Sequence, residues 1–417
     1  MLAVRAVLGA LLLSACGLAV DTVPKEEYRS RRAALGKSLP EGVVVLFGRT
    51  EADADDSRTS FIQEPNFYYL TGWKEPGAIL LLDPQGSTIL FLPPHNPRTE
   101  RYNGPRVKPD DGSVRSVTGF ESVRSTDQFE AEMSRIAAGK RKIFGMEAGP
   151  RTQFPKAEFA DAREAIGKLR LKKSPGEVAL IQRSIDVTVK AHRAAWKRAR
   201  PGLYEYQVAA TLVGGYLEAG CERSAYAPIV AAGPNANVLH YSANSGLLEK
   251  GSLLLMDAGA ECAGYAADIT RTIPVSGRFT PRQRELYEIV LAAQKAVIAA
   301  VKPGMTFDRG SPNGLTQIAY DVINSRGEDR NGEPLGQYFT HKVGHHVGLE
   351  VHDAGRMLTY GPLEPGMVIT VEPGLYIPSE GIGIRIEDML LVTATGARLL
   401  TGSLPKEAAE IERALAR

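Results

Sequence analysis

The sequence predicts two folded domains, an α+β domain in the C-terminal half and a smaller α/β domain in front of it. The length of 417 residues exceeds one ordinary hydrophobic core, so two domains and a short processing segment are expected. In the second half, apolar runs typical of strands occur in pairs that can form hairpins, and long helical patterns lie between the pairs. This arrangement favours α+β over a doubly wound parallel sheet.

The composition is typical of a folded globular protein, with 43% hydrophobic and 24% charged residues. Lys and Arg number 50 against 48 Asp and Glu, which gives a formal net charge of +2. This balance predicts neither a basic face for nucleic acid nor a polybasic segment for anionic lipid. We therefore expect no nucleic-acid partner.

The first residues have the pattern of an export signal. Arg5 precedes an apolar run that continues through Leu13, and small residues stand immediately before Cys16. The apolar stretch 6–20 has about 15 residues, fewer than the roughly 20 of a membrane-spanning helix. Because Leu-Ser-Ala-Cys resembles the lipobox of bacterial lipoproteins, we expect a lipoprotein-type signal segment at 1–16 with a lipid anchor at Cys16. The protein would then be exported and held at the bacterial cell envelope, facing the periplasm. The alternative is a frayed N-terminus of a cytoplasmic protein.

The first domain is expected at 22–171. A polar stretch, Asp21–Ser38, predicts an exposed helix. Short β-rich runs separated by Gly, Pro and Asp predict strands at Val43–Phe47, Phe67–Leu70, Ala78–Leu82 and Thr88–Leu92. Helical spacing of apolar residues predicts helices at Phe129–Ala138 and Ala157–Leu169.

The second domain is expected at 172–417 and begins with a strong helix-start signal. Ser174 is a good N-cap, Pro175 suits the first helical position, and Glu177 can complete a capping box. Helical patterns cover 176–200, 204–219, 281–301 and 313–325. Strand patterns cover 225–231, 251–258, 265–275, 367–377 and 383–393.

Four acidic residues of the second domain stand inside apolar, strand-like runs: Asp257, Asp268, Glu372 and Glu387. A buried carboxylate is costly unless it is paired or binds metal. Five of the seven histidines lie in the same domain, at His240, His341, His345, His346 and His352. Carboxylates with an imidazole suit Mn, Fe, Co or a labile Zn site better than a closed structural zinc.

The spacing of the acids sharpens this interpretation. Asp257 and Asp268 are symmetric about a turn between Cys262 and Ala263, and Glu372 and Glu387 are symmetric about a turn near residues 379–380. In antiparallel hairpins such residues face each other, so cations are needed between them. Two divalent ions would balance four carboxylates. The alternative is that these acids form structural salt bridges with Arg271, Arg385 or other basic residues.

Several segments together resemble the aminopeptidase P and prolidase family of metallopeptidases: "MDAGAECAGYAADITRT", "HKVGHHVGLEVHD", "TVEPGLYIP" and "GIGIRIED". "FIQEPNFYYLTGWKEPGAILLL" resembles the aminopeptidase P N-terminal domain. The resemblance implies a pita-bread catalytic domain and a metal-ligand set of Asp257, Asp268, His345, Glu372 and Glu387. It also implies catalytic roles for His240, His341 and His352, with Glu372 as proton shuttle.

The activity implied by the resemblance is removal of the N-terminal residue from peptides with proline in second position, by a metal-bridging hydroxide. We expect two divalent ions per subunit, with Mn²⁺ as first choice and Co²⁺, Fe²⁺ or Zn²⁺ as alternatives. A strict Xaa-Pro dipeptidase (prolidase) is the nearest rival. A metal-free creatinase-like hydrolase and a non-catalytic binding module on the same fold are more distant, because the ligand set is intact. Family relatives also suggest a homo-oligomer.

The remaining histidines and cysteines are expected to have no catalytic role. His346 adjoins His345 and is interpreted as structural, and His95 and His192 stand apart from the cluster. Cys221 and Cys262 can form a disulfide outside the cytoplasm or remain buried thiols, and the sequence leaves both open.

Overall fold

The structure is a computed structural model, and it describes residues 22–53, 61–84, 88–138, 142–146, 157–354 and 361–416. The expected signal segment 1–16 and its Cys16 lie outside the described residues. Within the described ranges, every helix is too short or too polar to cross a bilayer.

The first domain is built on a six-stranded mixed sheet with strand order β4-β3-β2-β1-β5-β6. Antiparallel pairs join β1 to β2 and β2 to β3, and the other neighbours run parallel. The strands are β1 Gly42–Phe47, β2 Ile79–Leu82, β3 Thr88–Leu92, β4 Ser122–Ser125, β5 Lys142–Gly145 and β6 Phe159–Asp161. The helices are α1 Lys25–Ser38, α2 Pro65–Thr71, α3 Pro97–Asn103, α4 Val114–Thr118, α5 Phe129–Ala138 and α6 Arg163–Leu171.

Two predicted elements of the first domain are wrong. The run Phe67–Leu70 belongs to helix α2, because Pro65 begins the helix, the Glu64 side chain accepts from the Phe67 N–H at 2.6 Å, and Gly72 ends it. All four residues of the run are buried, so the two-residue and helical periods could not be distinguished. The predicted helix Ala157–Leu169 instead contains strand β6 followed by α6.

The described part of the second domain contains five further α-helices. Four of them lie close to the predicted ranges, and one more lies near the C-terminus. They are α7 Pro175–Arg198, α8 Glu205–Glu218, α9 Pro281–Ala300, α10 Leu315–Arg326 and α11 Ala408–Leu415. The predicted capping box of α7 is present, since Ser174 Oγ accepts from Glu177 N and Glu177 accepts from Ser174 N.

Its strands form several small, mostly antiparallel sheets rather than one large one, with orders β12-β9-β8, β13-β16-β17, β14-β15 and β11-β10-β7. The strands are β7 Arg223–Ser224, β8 Ile229–Ala232, β9 Leu253–Asp257, β10 Ala260–Cys262, β11 Tyr265–Ala266, β12 Thr270–Pro274, β13 Val368–Val371, β14 Gly374–Ile377, β15 Ile382–Arg385, β16 Asp388–Val392 and β17 Ala397–Leu399. The predicted α+β class, with a smaller α/β domain in front, is confirmed.

The register confirms one predicted carboxylate pair and corrects the other. Gly374 pairs with Arg385 and Val371 with Asp388, so Glu372 and Glu387 lie opposite each other in the gap between the two ladders.

In the other hairpin, Asp257 pairs with Thr270 rather than with Asp268. The turn is centred between Ala263 and Gly264, which both have positive φ (55° and 81°), one residue later than the sequence symmetry indicated. Asp268 is therefore two places out of register with Asp257. Its neighbour across the hairpin is Gly259, where a Cβ would meet the carbonyl oxygen of Ala267 at 1.8 Å. Only glycine permits this close approach.

A disulfide between Cys221 and Cys262 resolves the alternative left open by the sequence. It joins the chain just after α8 to the end of β10, with 41 residues of sequence separation. The edge of the hairpin that carries Asp257 and Asp268 is thereby tied covalently to the helix layer.

Candidate metal centre

The carboxylates and histidines predicted for the site meet in one pocket of about 480 Å³ in the second domain. Its lining contains all five expected ligands and the three expected catalytic histidines. The polar and charged lining residues are Tyr226, His240, Ser242, Asp257, Asp268, His341, Lys342, His345, His352, Glu372, Arg385 and Glu387.

Asp268, His345 and Glu387 form the tightest group, with one potential ligand atom of each lying within 4.8 Å of the others. His345 Nε2 lies 3.3 Å from Asp268 Oδ2 and 3.4 Å from Glu372 Oε1. All three members of the group are buried. Such an imidazole and oxygen donor set is typical of a divalent metal site.

Neighbouring backbone and hydroxyl groups hold these side chains in place. The hydroxyl of Thr270, in β12, donates to Glu387 at 2.7 Å. The Thr370 hydroxyl in β13 accepts from the backbone N–H of His345 at 3.0 Å. The ligand atoms are thus positioned by two β-hairpins rather than by flexible loops alone.

His345 has the tautomer that a metal ligand requires. Its Nδ1 lies 3.1 Å from the backbone carbonyl of His346, so Nδ1–H donates there. The lone pair of Nε2 then points towards Asp268 and Glu372. A carbonyl partner of this kind fixes ring orientation in metal-bound histidines.

Among the residues that the structure describes, Asp257 is the one carboxylate of the four that accepts a hydrogen bond from a cationic side chain. Arg385 Nη2 donates to its Oδ2 at 2.6 Å. Arg271, the other basic residue considered, pairs with Asp388 at 2.7 Å instead. The salt-bridge alternative therefore applies to one acid, and the local charge of the four carboxylates with Arg385 is −3 rather than −4.

The buried carboxylates of the site repel one another, which makes their charged forms unfavourable. Burial, followed by the charges of Asp257 and Glu372, raises the pKa of Asp268 well above its ordinary value. Burial, followed by the charge of Asp268, does the same to Glu387. Buried carboxylates that repel each other and share an imidazole fit a divalent cation, which would supply the missing positive charge.

Tyr226 is a site residue that the sequence argument missed. Its hydroxyl oxygen lies 2.5 Å from Oδ1 of both Asp257 and Asp268. It bridges the two acids that are out of register. The segment Ala225-Tyr-Ala-Pro228 carries no motif or periodicity that would have marked it.

His341 is held by a directed chain of hydrogen bonds. Arg385 Nη1 donates to the Tyr376 hydroxyl at 2.8 Å, and that hydroxyl lies 2.9 Å from His341 Nε2. His341 Nδ1 lies 2.8 Å from the carbonyl of Lys342. Nδ1–H therefore donates to that carbonyl, and Nε2 accepts from the tyrosine. Burial lowers the pKa of His341, which favours the neutral ring. With both nitrogens engaged, this ring offers the pocket an apolar surface.

The other histidines divide as expected between the pocket and the rest of the protein. The His352 ring stands edge-on to His345, with ring centroids 4.3 Å apart, and loss of solvation lowers its pKa to about 4. His240 lines the pocket at its exposed side. His346 packs against Phe307 with ring centroids 5.7 Å apart and does not line the pocket.

Two histidines lie apart from the pocket lining. His192 is fully buried, with Nε2 lying 3.3 Å from the carbonyl of Ala258, and burial lowers its pKa to about 4. His95, in the first domain, lies 2.6 Å from Glu100.

Comparison with known proteins gives consistent matches along the chain. Residues 179–394 match the model of metallopeptidase family M24, and residues 28–144 match the aminopeptidase P N-terminal domain. The Xaa-Pro aminopeptidase of Haemophilus influenzae is 35% identical over 422 residues, covering 94% of this chain and 97% of that protein. Human Xaa-Pro aminopeptidase 3 is 32% identical, covering 92% of this chain and 82% of that protein.

Solved structures agree in fold. The aminopeptidase PepP of Pseudomonas aeruginosa has a TM-score of 0.83 and 32% identity, covering 94% of this chain and 98% of that chain. The aminopeptidase P of Escherichia coli with the inhibitor Pro-Leu has a TM-score of 0.82 and 30% identity, with the same coverage.

Proposed function

The chain belongs to metallopeptidase family M24, and on this premise we propose that it removes the N-terminal residue from peptides with proline in second position. The observation that carries the proposal is the buried group of Asp268, His345 and Glu387 inside a pocket that three further histidines line. Buried carboxylates that repel one another destabilise a fold, so their presence favours a metal-dependent enzyme over a non-catalytic binding module.

The residues that would hold metal are Asp257, Asp268, His345, Glu372 and Glu387. We propose two divalent ions per subunit, with Mn²⁺ as first choice and Co²⁺, Fe²⁺ or Zn²⁺ as alternatives. One such ion would change the formal local charge from −3 to −1, and two would change it to +1. Bound divalent metal would polarise the substrate carbonyl and lower the pKa of water.

The chain's own groups have separable roles in this proposal. Glu372, half-buried at the pocket wall, carries the proton between the attacking water and the leaving nitrogen. His240 and His352 donate to the oxygen on which negative charge develops. His341, with both nitrogens engaged, packs against the proline ring.

A strict Xaa-Pro dipeptidase is not favoured. The first domain matches the aminopeptidase P N-terminal domain, and the relatives and structures described above carry aminopeptidase names. An Xaa-Pro aminopeptidase would cleave peptides longer than two residues and a strict dipeptidase would not, so a substrate series separates the two enzymes.

For location, we propose that the protein is exported and lipid-anchored through Cys16 at the bacterial cell envelope. The disulfide between Cys221 and Cys262 supports this, because disulfides persist in oxidising compartments and are rare in the cytosol. We also propose that the protein forms a homo-oligomer, as an expectation carried from the family.

The test of the activity is a substrate panel with Mn²⁺, Co²⁺ and Zn²⁺ added separately. Xaa-Pro-Yaa peptides should release the single residue Xaa, and Xaa-Ala-Yaa controls should be cut far more slowly. A protein that hydrolyses only Xaa-Pro dipeptides would be a prolidase. Equal rates on the alanine controls would contradict proline specificity.

A further inference from the structure

The carboxylate of Asp353, next to His352 in sequence, is enclosed by two cations. Arg170 Nη2 lies 2.5 Å from its Oδ1, and Lys173 Nζ lies 2.7 Å from its Oδ2. The exposed fractions of the three side chains are 1% for Asp353, 2% for Arg170 and 1% for Lys173. None of these residues lines the metal pocket.

The loop from His345 to Asp353 is folded around this carboxylate. The backbone N–H of Asp353 donates to the carbonyl of His346 at 2.9 Å, which closes the loop. A Cβ placed on Gly348 would lie 2.4 Å from Asp353 Oδ2, so the loop backbone passes directly over the carboxylate. An expected metal ligand, His345, stands at one end of this loop and His352 at the other.

Both cations come from the junction between the two domains. Arg170 lies in the last turn of α6, and Lys173 lies between α6 and α7. Arg170 also donates to Asn66 of the first domain at 2.8 Å and to Glu350 of the loop at 2.8 Å. The loop is therefore fastened to the place where the first domain joins the second.

Stability alone does not account for this arrangement. A buried ion pair gains little over well-packed apolar residues, because desolvation offsets most of the attraction. What it provides is a fixed position, since two cations aimed at two oxygens leave the carboxylate a single orientation. Asp353 directly follows His352, so fixing Asp353 also restricts the backbone that carries the His352 ring, which stands edge-on to the ring of His345.

We infer that Asp353, clamped by Arg170 and Lys173, is the positioning residue for His352, so that the domain junction sets the placement of a catalytic imidazole. The inference rests on the proposed function, because it assigns His352 to the transition state of that reaction. Loosening the clamp should lower kcat while leaving KM and metal content close to wild type.

The test compares Lys173→Met with Arg330→Met. Each change removes one of two cations from an enclosed carboxylate that keeps an arginine: Arg330 Nε lies 3.4 Å from Glu380, which Arg282 also binds, and neither Arg330 nor Glu380 lines the metal pocket. Thermal unfolding measures the loss of stability in each variant. Only Lys173→Met should lower kcat, by about tenfold or more, with Arg330→Met within about twofold of wild type. Lys173→Arg should restore most of kcat.

Double variants with His352→Ala decide whether the effect passes through His352. In that background, Lys173→Met should cause no further loss of kcat. Full additivity, unchanged kcat in Lys173→Met, or loss of bound metal in proportion to kcat would each overturn the inference. Should Lys173→Met fail to fold, Gly348→Ala displaces the carboxylate without removing charge, and the same criteria apply. Activity of the wild type and of Arg330→Met on Xaa-Pro-Yaa keeps this outcome distinct from failure of the proposed function.

Discussion

Arg385 donates to Asp257 at 2.6 Å and thereby neutralises one carboxylate of a centre that otherwise has no close protein cation among the described residues. The same guanidinium also donates to Tyr376, which holds His341. One arginine thus connects an expected metal ligand to the expected proline-binding wall. Arg385 is the last residue of β15, and Glu387 follows two residues later, just before β16 begins.

Replacing the guanidinium group of Arg385 should affect both Asp257 and the Tyr376–His341 pair. Arg385→Lys keeps a charge but cannot reach Asp257 and Tyr376 with separate donors. We expect kcat/KM to fall about 10- to 100-fold, with weaker metal binding. Titration of metal-free protein followed by calorimetry measures the second effect. Wild-type values for both would contradict the role given to Arg385.

Loss of a ligand should remove turnover without unfolding the protein. Asp268→Asn or His345→Ala takes one donor from the tightest group, so metal affinity and activity should both fall to background. Circular dichroism should show the fold intact. Near wild-type activity of either variant in chelating buffer would contradict a metal mechanism.

In the metal-free protein, Asp268 should make stability depend on pH. Burial and the neighbouring acids raise its pKa in the folded state, so the folded state binds this proton more tightly than the unfolded chain does. Its contribution to the free energy of unfolding therefore falls as pH rises above the unfolded pKa of about 4. In EDTA at about pH 8, Asp268→Asn should be more stable than wild type, and the difference should shrink towards about pH 4. Urea unfolding at both pH values checks the sign.

Substrate choice should depend on His341 and on a free amine. His341→Ala should lose much of the proline preference or raise KM, because the ring wall of the pocket is removed. Tyr376→Phe should have a smaller effect, since it keeps both rings and removes only the hydroxyl that holds His341 Nε2.

Glu372→Gln should lower kcat and weaken metal binding. Efficient cleavage of N-acetylated Xaa-Pro-Yaa would count against an exopeptidase.

The proposed lipid anchor at Cys16 is tested by fractionation. Expressed in a bacterial host, the protein should sediment with membranes and begin at Cys16. Cys16→Ala should release the protein or leave it unprocessed. Soluble cytoplasmic protein that begins at Met1 would contradict export.

The sequence predicted the helices of the second domain and the Glu372–Glu387 pair because long periodic patterns and a symmetric hairpin determine them. It misplaced Asp268 by two positions, because the turn at Ala263–Gly264 depends on positive φ at a non-glycine residue. It also missed Tyr226 and the Asp353 clamp. Such contacts join residues 31 to 183 positions apart, and no local pattern encodes them.

The Cys221–Cys262 bond encloses Tyr226, His240 and Asp257 in one covalent loop. That loop includes a surface stretch in which Ser242, Ala243 and Lys250 are exposed to solvent. A single cut there would leave two fragments that remain linked through sulfur, so a nicked molecule could keep its pocket assembled and would separate into two bands only after reduction.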